Sequence, residues 1–304
     1  MPRATVEDGR PLGSSMYDAA LELIGAEPQP ISNEEYSRRV ERLTAQLRPD
    51  DLLIVPASPA AVHSNDVHYP YRTQSDLLYL VGWDEPDALL TVQNVDGTWI
   101  RTLFVQPKDT LKEIWEGRRP GIEGALNGWA VDSAYSCDDL EHQLNSMLSD
   151  SKRVLLRTGI RSDVDEIVIR SLERRDRARQ HFGTGPVTIE DPSARIAELR
   201  LRKSAAEIDQ MRFASDVSSV AHVAAMRNTK PGRMEYQLQA TIEGFFVYAG
   251  ASGWAYPSIV GCGDNATVLH YHQKSHLLLS PLPPCELLVY PSALKQLLQQ
   301  KEEL

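Results

Sequence analysis

The composition of the chain limits its possible partners. It has 304 residues, enough for two domains with apolar cores, and a formal net charge of −10. An acidic balance disfavours nucleic acid and anionic membranes, because both select for a basic protein face. No apolar run approaches the roughly 18 residues of a membrane span. We therefore predict neither a nucleic-acid partner nor a membrane partner.

The cysteines and the N-terminus bear on the cellular compartment. Cys137, Cys262 and Cys285 are few, odd in number and widely spaced, a pattern typical of reduced thiols rather than of a disulfide framework. The first residues lack the basic region and the apolar core of a signal peptide. Both features favour a cytoplasmic location.

The first two thirds of the chain alternate between strand and helix patterns. Residues 1–30 are rich in proline and predict a flexible lead-in. Ser32 and Glu35 have capping-box spacing and predict the start of a helix, and Asp96-Gly97 predicts a hairpin turn. The alternation predicts one α/β domain over residues 31–195. The predicted strands are 51–55, 76–81, 88–95, 99–106 and 152–157, and the later helices are 136–149 and 162–180.

The pattern changes near Asp191-Pro-Ser, which breaks the preceding structure. Ser204 and Glu207 form a second capping box. The segments that follow predict the opening part of an α+β domain over residues 196–304. They are helices 205–228 and 233–249, short strands 257–260, 267–271 and 287–290 around a Gly261/Gly263 loop, and a polar helix 292–304.

Four separated segments, taken in order, resemble one family. They are Ser64–Arg72 with Gly82–Ala88, then Glu113–Gly121 (EIWEGRRPG), then the helix start Leu201-Arg-Lys-Ser204, and finally matches between Pro231 and Tyr271 that include Glu235-Tyr236, Ala255-Tyr256 and Asn265 through His270-Tyr271. Together they are similar to aminopeptidase P, the Xaa-Pro aminopeptidases of the creatinase or pita-bread fold. Four ordered motifs are far more specific than one. The resemblance implies an N-terminal α/β domain, a mixed sheet flanked by helices, followed by the first part of a pita-bread domain.

The resemblance also implies an activity. Members of the family remove the N-terminal residue from peptides with proline in the second position. They use two divalent metals, typically manganese, held by two Asp, one His and two Glu, which activate water and clamp the developing oxyanion. The family further implies a homo-oligomer. Prolidase or creatinase chemistry on the same fold is a weaker alternative.

The sequence departs from the family where the metal ligands should follow. All five lie downstream of the position of His270, and Pro291 stands where the first ligand Asp is expected. The chain therefore looks truncated or divergent after about residue 276. We assign it no metal ligand and expect it to be inactive alone. The alternative is a non-catalytic pita-bread module for interaction or oligomerisation, a reading that rests on fold-level analogy.

The resemblance assigns a few site residues. His270 takes the catalytic position, where the family's histidine contacts the substrate, and Tyr256, Asn265 and Arg118 complete the substrate-binding set. A histidine that merely caps a loop is the alternative for His270. Near Arg118, the alternative is plain packing, with Trp115 buried and the arginine paired with an acid. A metal site built on His270, His272 and His276 is disfavoured, because no carboxylate or thiolate is clearly placed to help.

Overall fold

A computed structural model describes residues 24–177, 184–273 and 288–289. The chain forms two compact units. One is Ile31–Arg202, and the other takes in Lys203 and the residues after it together with the stretch before Ile31. From the sequence, the boundary between the two domains is predicted at 195/196. The difference arises because the helix Ser193–Leu201 buries Ile196 and Leu199 in the core of the first unit.

The first unit is built on a six-stranded mixed sheet of order β6-β5-β4-β1-β7-β8. Strands β1, β4 and β5 are antiparallel neighbours, whereas β6, β7 and β8 join in parallel. A separate hairpin pairs β2 with β3. The strands are β1 (Asp51–Pro56), β2 (Val62–Ser64), β3 (Val67–His68), β4 (Leu89–Val95), β5 (Thr98–Val105), β6 (Ser133–Ser136), β7 (Arg153–Leu156) and β8 (Thr188–Glu190).

Helices cover both faces of this sheet. The central strand β1 is therefore buried on both sides, which explains its continuous apolar run. Leu53 and Val55 face one core, and Leu52 and Ile54 face the other. The first core is closed by α1, α2, α4 and α7, and the second by α5 and α6. The helices are α1 (Asn33–Thr44), α2 (Ser75–Val81), α3 (Thr110–Glu116), α4 (Gly121–Gly128), α5 (Leu140–Ser149), α6 (Ser162–Arg177) and α7 (Ser193–Leu201).

The predicted strand at 76–81 is wrong, because this segment is helix α2. The Gln74 side chain caps it by accepting hydrogen bonds from the N–H groups of Asp76 and Leu77, and Gly82 ends it with a φ of 69°. Leu77, Tyr79, Leu80 and Val81 are all buried. A short helix buried on most sides has an unbroken apolar sequence, which periodicity alone does not separate from a buried strand.

The second unit opens with a helical pair. Helix α8 (Ala205–Asn228) starts at the predicted Ser204/Glu207 capping box, and α9 (Glu235–Tyr248) packs against it through Val217, Ala221, Phe245 and Phe246. Two-residue strands β9 (Val260–Gly261) and β10 (Leu288–Val289) then pair antiparallel. The predicted strand at 267–271 is wrong: a 3-10 turn occupies Gly263–Thr267, and residues 268–271 form neither helix nor strand.

None of the described helices is long and apolar enough to cross a membrane. The predicted helix at 292–304 lies outside the described residues, as do residues 1–23 of the predicted lead-in and the end of the predicted helix 162–180.

Candidate functional site

The segment from Tyr256 to Tyr271 forms a tight loop against the start of α9. Gly261 is required at the loop entry, because a Cβ there would lie 2.8 Å from the backbone oxygen of Asn265. Gly263 has a φ of 58°, a conformation that other residues rarely adopt. The backbone then turns back on itself, since Val268 N–H donates to Asn265 O at 3.1 Å. The two glycines therefore allow the compact turn that precedes His270.

Glu235 anchors this loop from the first position of α9. Its side chain is fully buried. Oε1 accepts hydrogen bonds from Cys262 N–H at 2.8 Å and Asn265 Nδ2 at 3.2 Å, and Oε2 accepts one from the Tyr271 hydroxyl at 2.8 Å. Asn265 Nδ2 also lies 3.0 Å from the Tyr271 hydroxyl oxygen. A helix N-terminus favours a carboxylate, and these donors offset the cost of burying one.

Three of the predicted site residues lie on one segment of the second unit, and the fourth lies in the first unit. Asn265 joins the Glu235 network, two residues past Gly263. His270 is exposed, next to the buried Tyr271, and Tyr256 is half-buried on the same segment. Arg118 belongs to the other unit, directly after α3. The loop residues thus form one candidate site, whereas Arg118 is a feature of the first unit.

Sequence reasoning missed Glu235 and Tyr271 as members of the site. Both were part of the resemblance to aminopeptidase P, but neither carried a role there. A glutamate at the start of a helix and a tyrosine beside a histidine are ordinary local signals. Their pairing joins positions 36 residues apart in the chain, and only the tertiary structure reveals it.

The packing alternative for the EIWEGRRPG segment does not hold for its tryptophan. Trp115 is 89% exposed on α3, beside the exposed Leu111 and Ile114. The acidic residues of the segment bond to Arg119, whose side chain pairs with Glu116. Arg118 is exposed and has no recorded partner within the part of the chain that the structure describes. Its guanidinium is therefore accessible to a ligand.

The segment Ser64–Ala88 is held by polar bonds near Pro86. Asp84 Oδ1 accepts a hydrogen bond from Thr73 N–H at 2.8 Å, and the Tyr71 hydroxyl donates to Ser58 O at 2.9 Å. Burial raises the pKa of Asp84, although the Thr73 N–H opposes this shift. Asp87 has a φ of 58° in this turn. Asp84 therefore joins the turn to the backbone at Thr73.

No three side chains of the types that ligate metals converge within residues 24–177, 184–273 and 288–289. The donor set that a pair of divalent ions requires is therefore not assembled by the described residues. His276, Cys285 and Pro291 lie outside them.

Comparison with known proteins agrees with this architecture. A family model described as "Aminopeptidase P, N-terminal domain" matches residues 36–156. A second model, "Metallopeptidase family M24", matches residues 209–289. The two matches fall in the first and second units, respectively.

Individual relatives extend the match across most of the chain. The Xaa-Pro aminopeptidase of Escherichia coli is 35% identical over 245 residues, which cover 80% of this chain and 56% of the relative. The structure of proline aminopeptidase P II from Yersinia pestis is similar, with a TM-score of 0.77, 36% identity, and coverage of 82% of this chain and 57% of that one. A structure of E. coli aminopeptidase P with the inhibitor Pro-Leu gives a TM-score of 0.78, 33% identity, and coverage of 83% and 57%.

The fold and the matches define the class first: an aminopeptidase P N-terminal domain joined to part of an M24 metallopeptidase domain. Within that class, the chain belongs to the aminopeptidase P, or Xaa-Pro aminopeptidase, family. It spans a little over half the length of the relatives it matches.

Proposed function

We propose that this chain provides the peptide-recognition part of an Xaa-Pro aminopeptidase. The substrate class would be peptides with proline in the second position. The observation that carries this proposal is the loop anchored by Glu235, which leaves His270 exposed on the same segment of the chain as Asn265 and Tyr256. The inhibitor Pro-Leu in the similar E. coli structure supports a proline-containing ligand.

We further propose that the chain does not hydrolyse peptides by itself. The family resemblance implies two divalent ions, typically manganese, which activate water when bound. The described residues do not fit such a pair, and Pro291 stands in the sequence where the first ligand carboxylate is expected. No hydrolytic step is therefore assigned to this chain, and its own residues are proposed to bind and orient the peptide.

His270 alone is insufficient for hydrolysis. A single positioned imidazole contributes about 10²- to 10⁴-fold as a general acid or base. Enzymes typically supply at least about 10⁶-fold. His270 would therefore interact with a bound peptide near its scissile carbonyl without cleaving it.

The test is to incubate the chain with an Xaa-Pro-Yaa peptide and manganese and to measure release of the N-terminal amino acid. We expect none, and His270→Ala should change nothing in this assay. The same substitution in the E. coli relative serves as a control and should reduce turnover with metal content intact. Turnover by this chain that His270→Ala abolishes would contradict the proposal. The first candidate ligands to test would then be His272, His276, Asp264 and Glu286.

A second candidate is a non-catalytic interaction module that retains the recognition scaffold. The lack of an assembled ligand set among the described residues favours it. Metal analysis after dialysis addresses this candidate directly. Two tightly bound divalent ions per chain would contradict it.

A homo-oligomer and a cytoplasmic location also stay proposals. The exposed apolar side chains of α3, Leu111, Ile114 and Trp115, support self-association, because such patches commonly mark protein contacts. Sedimentation velocity measures self-association directly, and a single monomeric species at micromolar concentration would contradict the homo-oligomer.

Cell fractionation tests the cytoplasmic location, and recovery in a membrane or secreted fraction would contradict it.

A further inference from the structure

Glu235 is a fully buried carboxylate outside the residues to which the family resemblance assigns roles. Burying an ionised carboxylate costs several kcal/mol unless hydrogen bonds compensate, and an apolar side chain would avoid that cost. Buried polar groups with several partners instead fix one arrangement of the chain around them. The position of the Glu235 partners therefore indicates what this residue does.

Three partners of Glu235 lie within one ten-residue segment. Oε1 holds Cys262 and Asn265 at the beginning of the segment, and Oε2 holds Tyr271 at its end. A single carboxylate therefore fixes both ends of the loop to the N-terminus of α9. The Asn265 amide, 3.0 Å from the Tyr271 hydroxyl, links the two ends directly.

This arrangement lies directly beside His270 in the chain. Tyr271 is 6% exposed and points its hydroxyl inward to Glu235, whereas the preceding His270 is exposed. Anchoring Tyr271 on the inner side restricts the backbone that carries His270. Site residues work when packing and hydrogen bonds behind them limit their orientation.

We propose that Glu235 is a positioning residue, which acts through Tyr271 and Asn265 to fix the orientation of His270. The consequence for peptide handling rests on the proposed function. The positioning itself does not, because it concerns contacts within this chain only.

Two substitutions distinguish the contributions of the two ends of the loop. Glu235→Gln disturbs both ends, whereas Tyr271→Phe removes the bonds of the hydroxyl to Oε2 and to the Asn265 amide and keeps the bond from Cys262 N–H. The matched controls are Glu243→Gln, on the same helix and bonded to Gln239, and Tyr236→Phe, a neighbouring tyrosine that is 53% exposed. All four are made in the full chain.

Two readouts follow the loop without any substrate. Hydrogen exchange reports protection of the Cys262 amide, and the NMR signals of the His270 imidazole, assigned with His270→Gln, report its surroundings. We expect Glu235→Gln to speed Cys262 exchange about tenfold or more, since a bond to a charged acceptor is lost, and to shift the His270 signals. Tyr271→Phe should shift the His270 signals while Cys262 protection is retained. The controls should match the parent protein in both.

Unchanged His270 signals in the Tyr271→Phe variant would overturn the proposal. If the thermal midpoint of that variant falls while the His270 signals stay the same, the bond between Tyr271 and Glu235 only stabilises the fold. If Glu235→Gln does not fold, Tyr271→Phe decides alone. A separate titration of the parent protein with an Xaa-Pro peptide tests the proposed function. If that peptide leaves the His270 signals unchanged, the proposed function fails while the positioning role of Glu235 stands.

Discussion

At the scale of single residues, Asp51 shows how one buried carboxylate ties three strands together. Its side chain is fully buried at the start of β1. Oδ1 accepts a hydrogen bond from Arg153 Nε at 2.8 Å, and Oδ2 accepts one from Arg48 N–H at 2.7 Å. Arg153, on β7, also pairs with Glu190 on β8 at 2.7 Å. The network therefore links β1, β7 and β8 at one end of the sheet.

This network predicts a loss of stability in acid. Burial of Asp51 favours its neutral form, but the hydrogen bonds from Arg153 and Arg48 and the Arg153 charge outweigh burial and hold its pKa below the ordinary value. The stability from such a group is fully present above its unfolded pKa of about 3.9 and is lost as pH falls through the folded pKa. Asp84, whose pKa is raised by burial, acts in the opposite sense and offsets part of the loss.

Asp51→Asn should therefore lower the free energy of unfolding at pH 7 by about 3 kcal/mol, because it leaves a desolvated arginine short of a partner. It should also flatten the decrease in stability below about pH 4. Urea unfolding at pH 7 and at pH 3 measures both effects. Asp50→Asn is the control, since its exposed pairing with Lys152 is worth about 1 kcal/mol at most. A pH dependence equal to that of the parent would contradict the role of Asp51.

Single residues also show where sequence reasoning about the site reached its limit. The motif Asn265 through His270-Tyr271 located the loop, because its glycines and polar residues are local signals. The assignment of Asn265 to substrate binding stays a prediction. Its amide already serves Glu235 and Tyr271 inside the protein, a contact between sequence positions 30 apart that no local pattern encodes.

At the scale of elements, local sequence signals correctly predicted the features that depend on nearby residues, namely a helix start and a hairpin turn. The Ser204/Glu207 capping box predicted the start of helix α8, and the observed helix has the predicted bounds 205–228. The Asp96-Gly97 turn joins β4 and β5, with φ values of 50° and 87°. The segment 76–81 was mispredicted because burial on most sides determines its conformation. The segment 267–271 was mispredicted because the hydrogen bonds to Glu235 determine its conformation. Both causes are tertiary.

The glycine that ends α2 should be far less replaceable than the glycine of the hairpin. Gly82 has a φ of 69°, and a Cβ there would lie 2.6 Å from the ring of Tyr36, whereas Gly97 has a φ of 87° and open space around it. Gly97→Ala should cost about 1 kcal/mol of left-handed strain. Gly82→Ala should cost about 1–3 kcal/mol more, because the half-buried ring of Tyr36 must move.

Chemical denaturation of the two glycine variants measures this difference. The hairpin variant is the matched control, since both substitutions add the same methyl group at positive φ. Equal destabilisation by the two would contradict a role for the contact between Gly82 and Tyr36.

At the scale of the whole molecule, the two units differ in how completely their described parts bury apolar surface. The first has a six-stranded sheet with a core on each face. In the second, the described strand pairing is limited to Val260–Gly261 with Leu288–Val289. Its exposed apolar side chains include Met226 (65%), Val247 (58%) and Leu269 (70%). Few buried contacts and short pairings are associated with low local stability.

Limited proteolysis should therefore remove the second unit first and leave a resistant fragment ending near Arg202. Arg202 and Lys203 offer trypsin its cleavage sites at the boundary. Thermolysin, which has a different specificity, is the control that separates local opening from the mere presence of a basic residue. Mass spectrometry should find the same core, beginning near Ile31, with both proteases. Equal protection of residues 31–202 and 203–273 would mean that the second unit is as stable as the first. In that case the exposed apolar side chains would have to be covered by partners outside the described residues, and self-association would be the first explanation to test.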